Sequence, residues 1–191
     1  MIKKTIIPKI ESEYCKLTPN LVLDWENYSR VVEYKKGEKI VTEGQQNHKL
    51  YYIIKGSVKA YYFIDGKRVV DWFAFENEFI TSSTSYLTGE PSLHYIETME
   101  DCLILETKKV DVESLCKQHH DFEHLFRLVL SKVIVQFRHR IFSIQFKSVK
   151  QRYNSLVKQY PKIELIVPLG DIATFLGITQ ETLSRIRAKR D

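Results

Sequence analysis

The chain has 191 residues, 43% of them hydrophobic and 28% charged, with a formal net charge of +5, as expected for an ordinary soluble globular protein. It contains no run of about 18 apolar residues, which excludes a membrane span, and its start does not resemble a signal peptide. We therefore expect a cytoplasmic protein. The three cysteines, Cys15, Cys102 and Cys116, are far apart and form no CxxC pair, which excludes a zinc knuckle or an iron–sulfur motif.

The first two thirds of the chain change from short helices to strands. Residues 11–29 are predicted to form short helical pieces, with Thr18 and Pro19 as the cap and first-turn pair of one helix. From Val31 to Thr107 the chain is rich in β-branched and aromatic residues, and glycines separate the apolar runs. This spacing predicts a closed antiparallel barrel or roll.

Residues 121–146 are predicted to form one long helix of about 39 Å. Apolar residues recur along it at steps of three and four, which is typical of a helix with one buried face. That face could pack only on the barrel of the same chain, or it could form a seam with a second copy. The heptad-like spacing favours the homodimer, through Phe126, Leu130, Val133, Phe137, Ile141 and Ile144.

The last unit, residues 147–191, is the most basic part of the chain. It has nine Lys and Arg against four Asp and Glu, a surplus equal to that of the whole protein. A helix is predicted up to Pro161, then an extended linker over residues 163–168, then two short helices. The positive charge favours a polyanionic partner.

The two closing helices are predicted to form a helix-turn-helix. Ala173 is small enough for the helices to cross, Gly177 permits the sharp turn, and Leu183 and Ile186 face inward. The remaining side chains face outward and suit DNA, because Arg pairs with guanine and Glu with cytosine. The alternative is a capped surface helix with an ordinary Glu–Arg pair. The predicted DNA surface comprises Thr179, Gln180, Glu181, Ser184, Arg185, Arg187, Lys189 and Arg190.

Together these segments resemble the Crp/Fnr superfamily of bacterial transcription regulators. Residues 34–62 resemble the start of its cyclic-nucleotide-binding-type β-roll, and the long helix matches its dimerisation helix in position. Residues 181–185, Glu-Thr-Leu-Ser-Arg, resemble the E-x-x-S-R motif of the Fnr branch. The resemblance implies an α+β fold: an antiparallel, jelly-roll-like β-roll in residues 1–120, a dimerisation helix in residues 121–146 and a helix-turn-helix domain in residues 147–191.

The resemblance also implies a function and partners. It implies a non-enzymatic, dimeric regulator that binds double-stranded DNA at an inverted repeat, with RNA polymerase as a further partner. It implies a TTGA-like half-site, with Arg185 on the guanine, Glu181 on the paired cytosine and Ser184 on a neighbouring thymine. The sequence stops after the last basic run, so the wing hairpin that usually follows in the family is not expected.

The residues that bind cyclic nucleotides in the family are replaced here. Thr81 and Ser82 stand where a Gly-Glu pair binds the ribose, and Ser92 stands where an Arg binds the phosphate. Without that Arg, a buried phosphate lacks its charge partner. We therefore expect no cyclic nucleotide and no resident cofactor. Thr81, Ser82, Ser83 and Ser92 are candidates for a pocket that takes a smaller polar effector.

Three other interpretations remain open. A cupin-like metal enzyme needs several histidines on its strands, and the β region has only His48 and His94. His120 and His124 have the spacing of a metal-binding pair, although solvated histidines at a helix start are commoner. The chain could also be an adaptor with a Crp-like fold that binds an effector or a protein partner and no DNA.

Overall fold

The computed structural model describes residues 5–188, so that Lys189 and Arg190 of the predicted DNA surface lie outside it. Within residues 5–188, the first two helices are α1 (Ile7–Glu13) and α2 (Pro19–Tyr28). Thr18 is the extended N-cap residue of α2 and Pro19 begins it, as predicted, because proline has the helical φ angle and no N–H to satisfy. No helix of the described residues is long and apolar enough to cross a membrane.

The strands of the described residues form two antiparallel sheets of four strands each. They are β1 (Ser29–Tyr34), β2 (Lys39–Val41), β3 (Lys49–Lys55), β4 (Val58–Ile64), β5 (Lys67–Ala74), β6 (Phe79–Ile80), β7 (Tyr95–Thr98) and β8 (Cys102–Lys108). One sheet has the order β1–β8–β3–β6 and the other β2–β7–β4–β5. A short helix, α3 (Ser83–Thr88), lies between β6 and β7. The predicted antiparallel roll is confirmed.

The core of the roll is filled from both sheets. Ile53, Ile96 and Ile104 are fully buried in one apolar cluster. Gly56 forms the corner between β3 and β4 with a φ of +94°, and a Cβ there would lie 2.6 Å from the Cys102 Sγ. Only glycine fits this corner, since both the left-handed backbone and the space exclude a side chain.

Six helices follow the roll in the part of the chain that the structure describes. They are α4 (Lys109–Gln118), α5 (His120–Phe146), α6 (Val149–Gln159), α7 (Ile163–Ile166), α8 (Leu169–Phe175) and α9 (Gln180–Ala188). The long helix α5 has 27 residues and a length of about 40 Å. The prediction of an extended linker over residues 163–168 is wrong, because Ile163–Ile166 form a helical turn, α7. Ile163 and Val167, four residues apart, are both buried in the same cluster, and a helical turn places such residues on one face.

The helices pack on the roll in two places. At the first, α1, α2, α4 and the start of α5 form one core with β3 and β8. Trp25 lies at its centre, edge-on to Phe122 at 5.2 Å, and donates from Nε1 to the Thr107 Oγ1 at 3.1 Å.

The second place lies between the C-terminal helices and strands β4 and β5. Tyr61 and Phe73 of the strands are buried in one cluster with Leu156, Ile172 and Leu183 of the helices. The Val70 N–H also donates to the Thr174 Oγ1 at 3.2 Å. The C-terminal helices are therefore docked on the roll rather than held away from it.

Candidate nucleic-acid interface and sensor cavity

The turn between α8 and α9 has the geometry of a helix-turn-helix. Gly177 has a φ of +70°, which strains any residue with a side chain. The Ile178 N–H donates to the Ala173 carbonyl at 3.0 Å, which closes the turn. Thr179 caps α9, since its Oγ1 accepts from the Thr182 N–H at 3.2 Å.

The two faces of α9 differ as the sequence predicts. Leu183 is fully buried and Ile186 is half-buried against the C-terminal cluster. The helices approach closely, because a Cβ added at Gly170 of α8 would lie 3.3 Å from the Gln180 Oε1. The opposite face of α9 is exposed to solvent. The described residues of the predicted DNA surface are all exposed there or at the start of the helix: Thr179, Gln180, Glu181, Ser184, Arg185 and Arg187.

Two of the basic side chains on this surface are paired. Arg185 forms an ion pair with Glu181 one turn earlier, and both side chains are 74% exposed. The Arg187 Nε lies 3.0 Å from the Glu164 Oε1 of α7. An exposed pair of this kind contributes at most a few tenths of a kcal/mol. Opening the Glu181–Arg185 pair to meet base edges therefore costs little.

The exposed apolar face of α5 is shifted from the predicted one. Leu130, Phe137, Ile141 and Ile144 are exposed, and so is Ile134, which is 67% exposed and was not predicted. These five residues follow each other at steps of four and three, the spacing of a coiled-coil seam. We call this set, Leu130, Ile134, Phe137, Ile141 and Ile144, the α5 seam.

Two residues of the predicted stripe face the roll instead. Phe126 is half-buried against the core of the N-terminal helices, and Val133 is half-buried and lines a cavity. Phe137 belongs to the exposed face of α5 and also contacts the roll, since its ring lies 5.0 Å from that of Trp72 on β5. Periodicity alone could not separate Val133 from Ile134, because adjacent positions lie on neighbouring edges of the same apolar face.

A cavity of about 410 Å³, here called the sensor cavity, lies between the roll and α5. Its walls are mostly apolar and include Leu50, Phe79, Val129 and Val133. Of the predicted pocket residues, Thr81 and Ser83 line this cavity, whereas Ser82 and Ser92 are not among its lining residues.

Ser82 and Ser92 are fully buried and bonded to each other. Their Oγ atoms are 2.8 Å apart, and the Ser92 hydroxyl also lies 2.7 Å from the His94 carbonyl, to which it donates. Thr81 donates to the Lys49 carbonyl at 2.8 Å. The hydroxyls therefore complete a neutral local network. This network supplies no positive charge to offset the desolvation of a cyclic phosphate.

His94 is the functional candidate in this cavity that the sequence did not identify. Its side chain lines the cavity and is buried, and neither ring nitrogen has a hydrogen-bond partner among the described residues. Burial lowers the pKa of His94 below its usual 6.5, although Asp71 acts in the opposite direction. A neutral imidazole presents one donor and one acceptor to the cavity. A single histidine in the loop before β7 gives no signal of this in the sequence.

A family model matches part of the sequence, and solved structures match the fold. Residues 31–119 match the cyclic nucleotide-binding domain family. No curated protein sequence matches the chain. Among solved structures, the c-di-GMP-responsive global regulator CLP of Xanthomonas campestris is 17% identical with a TM-score of 0.73, covering 91% of each chain.

Two further structures agree with this match. FixK2 of Bradyrhizobium japonicum is 19% identical with a TM-score of 0.70, covering 84% of this chain and 83% of its own. A protein from Eubacterium rectale, described as a regulator of the Crp/Fnr family, is 17% identical with a TM-score of 0.70, covering 91% and 83%. Identities this low establish the fold alone. Residues 31–119 are thus similar to the cyclic nucleotide-binding domain family, and the chain shares the fold of these three solved structures.

Proposed function

We propose that the protein is a sequence-specific DNA-binding regulator of transcription that acts as a homodimer. The observation that carries the proposal is the outward face of α9, where Glu181, Ser184 and Arg185 are exposed together on a capped helix of a helix-turn-helix. In this proposal residues 1–120 form the sensor, residues 121–146 the dimerisation helix and residues 147–191 the DNA-binding domain. RNA polymerase is the expected further partner.

The chemistry of this face fits a G·C pair in the major groove. The Arg185 guanidinium can donate two hydrogen bonds to the O6 and N7 of guanine, and the Glu181 carboxylate can accept from the N4 of the paired cytosine. Arg187 supplies charge toward phosphates, which increases affinity without reading sequence. We propose the same phosphate-binding role for Lys189 and Arg190 from the sequence alone.

The α5 seam supports the homodimer. Its five exposed residues are large and apolar and lie along one line of a helix of about 40 Å. Contiguous exposed apolar surface of this kind typically marks an interaction site. A second copy of α5 is a matching partner, because an isologous interface pairs the same surface on both chains. Such a dimer presents two α9 helices to the two halves of an inverted repeat.

The sensor cavity is the place that we propose for an effector. It shares Leu130, Ile134 and Phe137 with the α5 seam, so that a bound molecule would touch the residues that meet the second copy. Its apolar walls and the neutral His94 favour a small, largely apolar molecule with a hydrogen-bonding group. The Ser82–Ser92 pair argues against a cyclic nucleotide.

The alternative is an adaptor with the same fold that does not bind DNA. A mobility shift of purified protein on a pool of genomic DNA fragments separates the two proposals. The regulator retains a subset of fragments in the presence of excess nonspecific DNA. The adaptor retains none, or retains all fragments equally with an affinity that disappears as salt rises.

A further inference from the structure

A second cavity lies between α5, α6 and α8 and is distinct from the sensor cavity. Its volume is about 430 Å³, and Trp72 and Phe73 of β5 form part of its wall. We call it the cationic cavity, because Arg140, Lys147 and Arg152 line it and no Asp or Glu among the described residues does. His139 lines it as well.

The two arginines of this cavity have no carboxylate partner in the described part of the chain. Among residues 5–188, neither Arg140 nor Arg152 forms an ion pair with Asp or Glu. Both side chains are half-buried. Burial lowers the pKa of Arg140, and the nearby charge of Arg152 lowers it further, although Asp71 acts in the opposite direction. Like charges that are partly removed from water and left unpaired are costly for a fold.

The hydrogen bonds of these cations are incomplete. Arg152 donates from Nη2 to the Leu176 carbonyl at 3.0 Å and makes two longer contacts of 3.4 Å to the end of α5, while its Nε is buried and has no partner within the described chain. Arg140 stacks over the Phe175 ring at 4.0 Å and has one contact of 3.4 Å to a carbonyl. Lys147 donates to the Ser155 Oγ at 3.1 Å. Donors therefore remain for another acceptor.

We propose that the cationic cavity binds a small anion that carries phosphate or carboxylate groups, held by Arg140, Lys147 and Arg152. Guanidinium groups match the geometry of such oxyanions with paired donors, and charge-assisted bonds of this kind are the strong ones. The aromatic wall and the size of the cavity favour a compact free molecule over the backbone of DNA. The same chemistry could come from a DNA phosphate, and the experiment separates the two sources.

The position of the site gives it a regulatory consequence, which rests on the proposed function. Arg140 belongs to α5, Arg152 to α6, and both contact the carboxyl end of α8 in the helix-turn-helix. An anion bound between them would stiffen the junction between the dimerisation helix and the DNA-binding helices. Anion binding itself is independent of DNA, so it can be tested alone.

The first arm measures anion binding by the whole protein without DNA. Sodium pyrophosphate is titrated by calorimetry and by thermal melting, with sodium chloride at equal ionic strength as the reference. We expect saturable binding of one anion per chain. Arg152→Gln and Lys147→Met should each weaken it about tenfold or more. Arg138→Gln changes an exposed arginine of α5 and should leave it within twofold. Lys147→Met is the variant less expected to disturb folding, since the Lys147 side chain makes one hydrogen bond within the described residues.

The second arm measures DNA binding by the same variants. Absence of saturable pyrophosphate binding to the wild type would overturn the proposal, and so would an equal loss in all three variants, which would indicate a general charge effect. If pyrophosphate does not bind but Arg152→Gln and Lys147→Met still weaken DNA binding, the phosphate belongs to DNA and the small-anion site is wrong. If the protein binds pyrophosphate but no DNA, the site stands and the proposed function fails.

Discussion

The Lys59 Nζ of strand β4 lies 2.8 Å from the Asp171 Oδ2 of helix α8, and both side chains are buried. Glu97 lies 3.2 Å from the same ammonium, and Arg68 lies 3.0 Å from the other oxygen of Asp171. The pair joins positions that are 112 residues apart in the chain. It therefore fixes the first helix of the helix-turn-helix to the roll.

Removal of the lysine from this pair should destabilise the fold. Lys59→Met leaves the buried Asp171 carboxylate and the half-buried Glu97 carboxylate with fewer partners, and we expect a loss of about 3 kcal/mol in the free energy of unfolding. Arg68→Ala is the control, because Arg68 is 39% exposed and its pair should be worth no more than about 1 kcal/mol. Urea denaturation measures both. Equal losses in the two variants would show that burial does not set the strength of this contact.

The α5 seam should hold two copies of the chain together. We expect sedimentation to give a dimer at micromolar concentration, and Ile134→Glu with Ile141→Glu to give a monomer, because the paired carboxylates would be buried next to each other. Gln145→Glu adds a charge at an exposed polar position of the same helix and should leave the dimer intact. A wild-type protein that is already monomeric would refute the seam.

Cyclic AMP and cyclic GMP should not bind. The Ser82–Ser92 hydrogen bond of 2.8 Å joins two neutral hydroxyls where the resemblance to the Crp/Fnr superfamily implies charged groups, and hydroxyls cannot offset the desolvation of a phosphate. Calorimetry should detect no binding. A dissociation constant below about 10 μM, equivalent to about −7 kcal/mol, would contradict this expectation.

His94 should make the stability of the protein depend on pH in a defined direction. Its folded pKa is lowered from 6.5 by burial, so the unfolded chain takes up a proton first as the pH falls. The contribution of neutral His94 to the free energy of unfolding is fully present above pH 6.5. It declines below that pH, by at most about 1.4 kcal/mol per pH unit. Glu78, whose pKa is raised by burial, acts in the opposite direction.

The difference in unfolding free energy between wild type and His94→Phe isolates this effect, since Glu78 is common to both. We expect that difference to be constant between pH 7.5 and 8.5 and to shift against the wild type between pH 6.5 and 5. A difference that does not change with pH would mean that His94 is not buried as a neutral group.

The features that can be predicted from the sequence are those that neighbouring residues in the chain determine. The cap at Thr179, the turn at Gly177 and the inward Leu183 all follow from residues within one turn of each other, and the structure has each of them. The charges of Lys59 and Asp171 gave no such signal, because only the docking of α8 on the roll brings them together. Ile134 was missed for a similar reason, since the roll decides which edge of an apolar face is covered.

We propose that Arg185 reads a base pair from an exposed helix of a dimeric regulator. Selection of bound sequences from random duplex DNA tests it directly, with wild type, Arg185→Ala and Arg187→Ala compared at fixed salt. We predict that the wild type selects an inverted repeat with half-sites about one or two helical turns apart, and that Arg185→Ala relaxes one G·C position by about 1–3 kcal/mol. Arg187→Ala should weaken all sequences alike and lower the salt slope by about one. An Arg185→Ala protein that selects the wild-type sequence unchanged, or a wild type that selects none, would contradict the account.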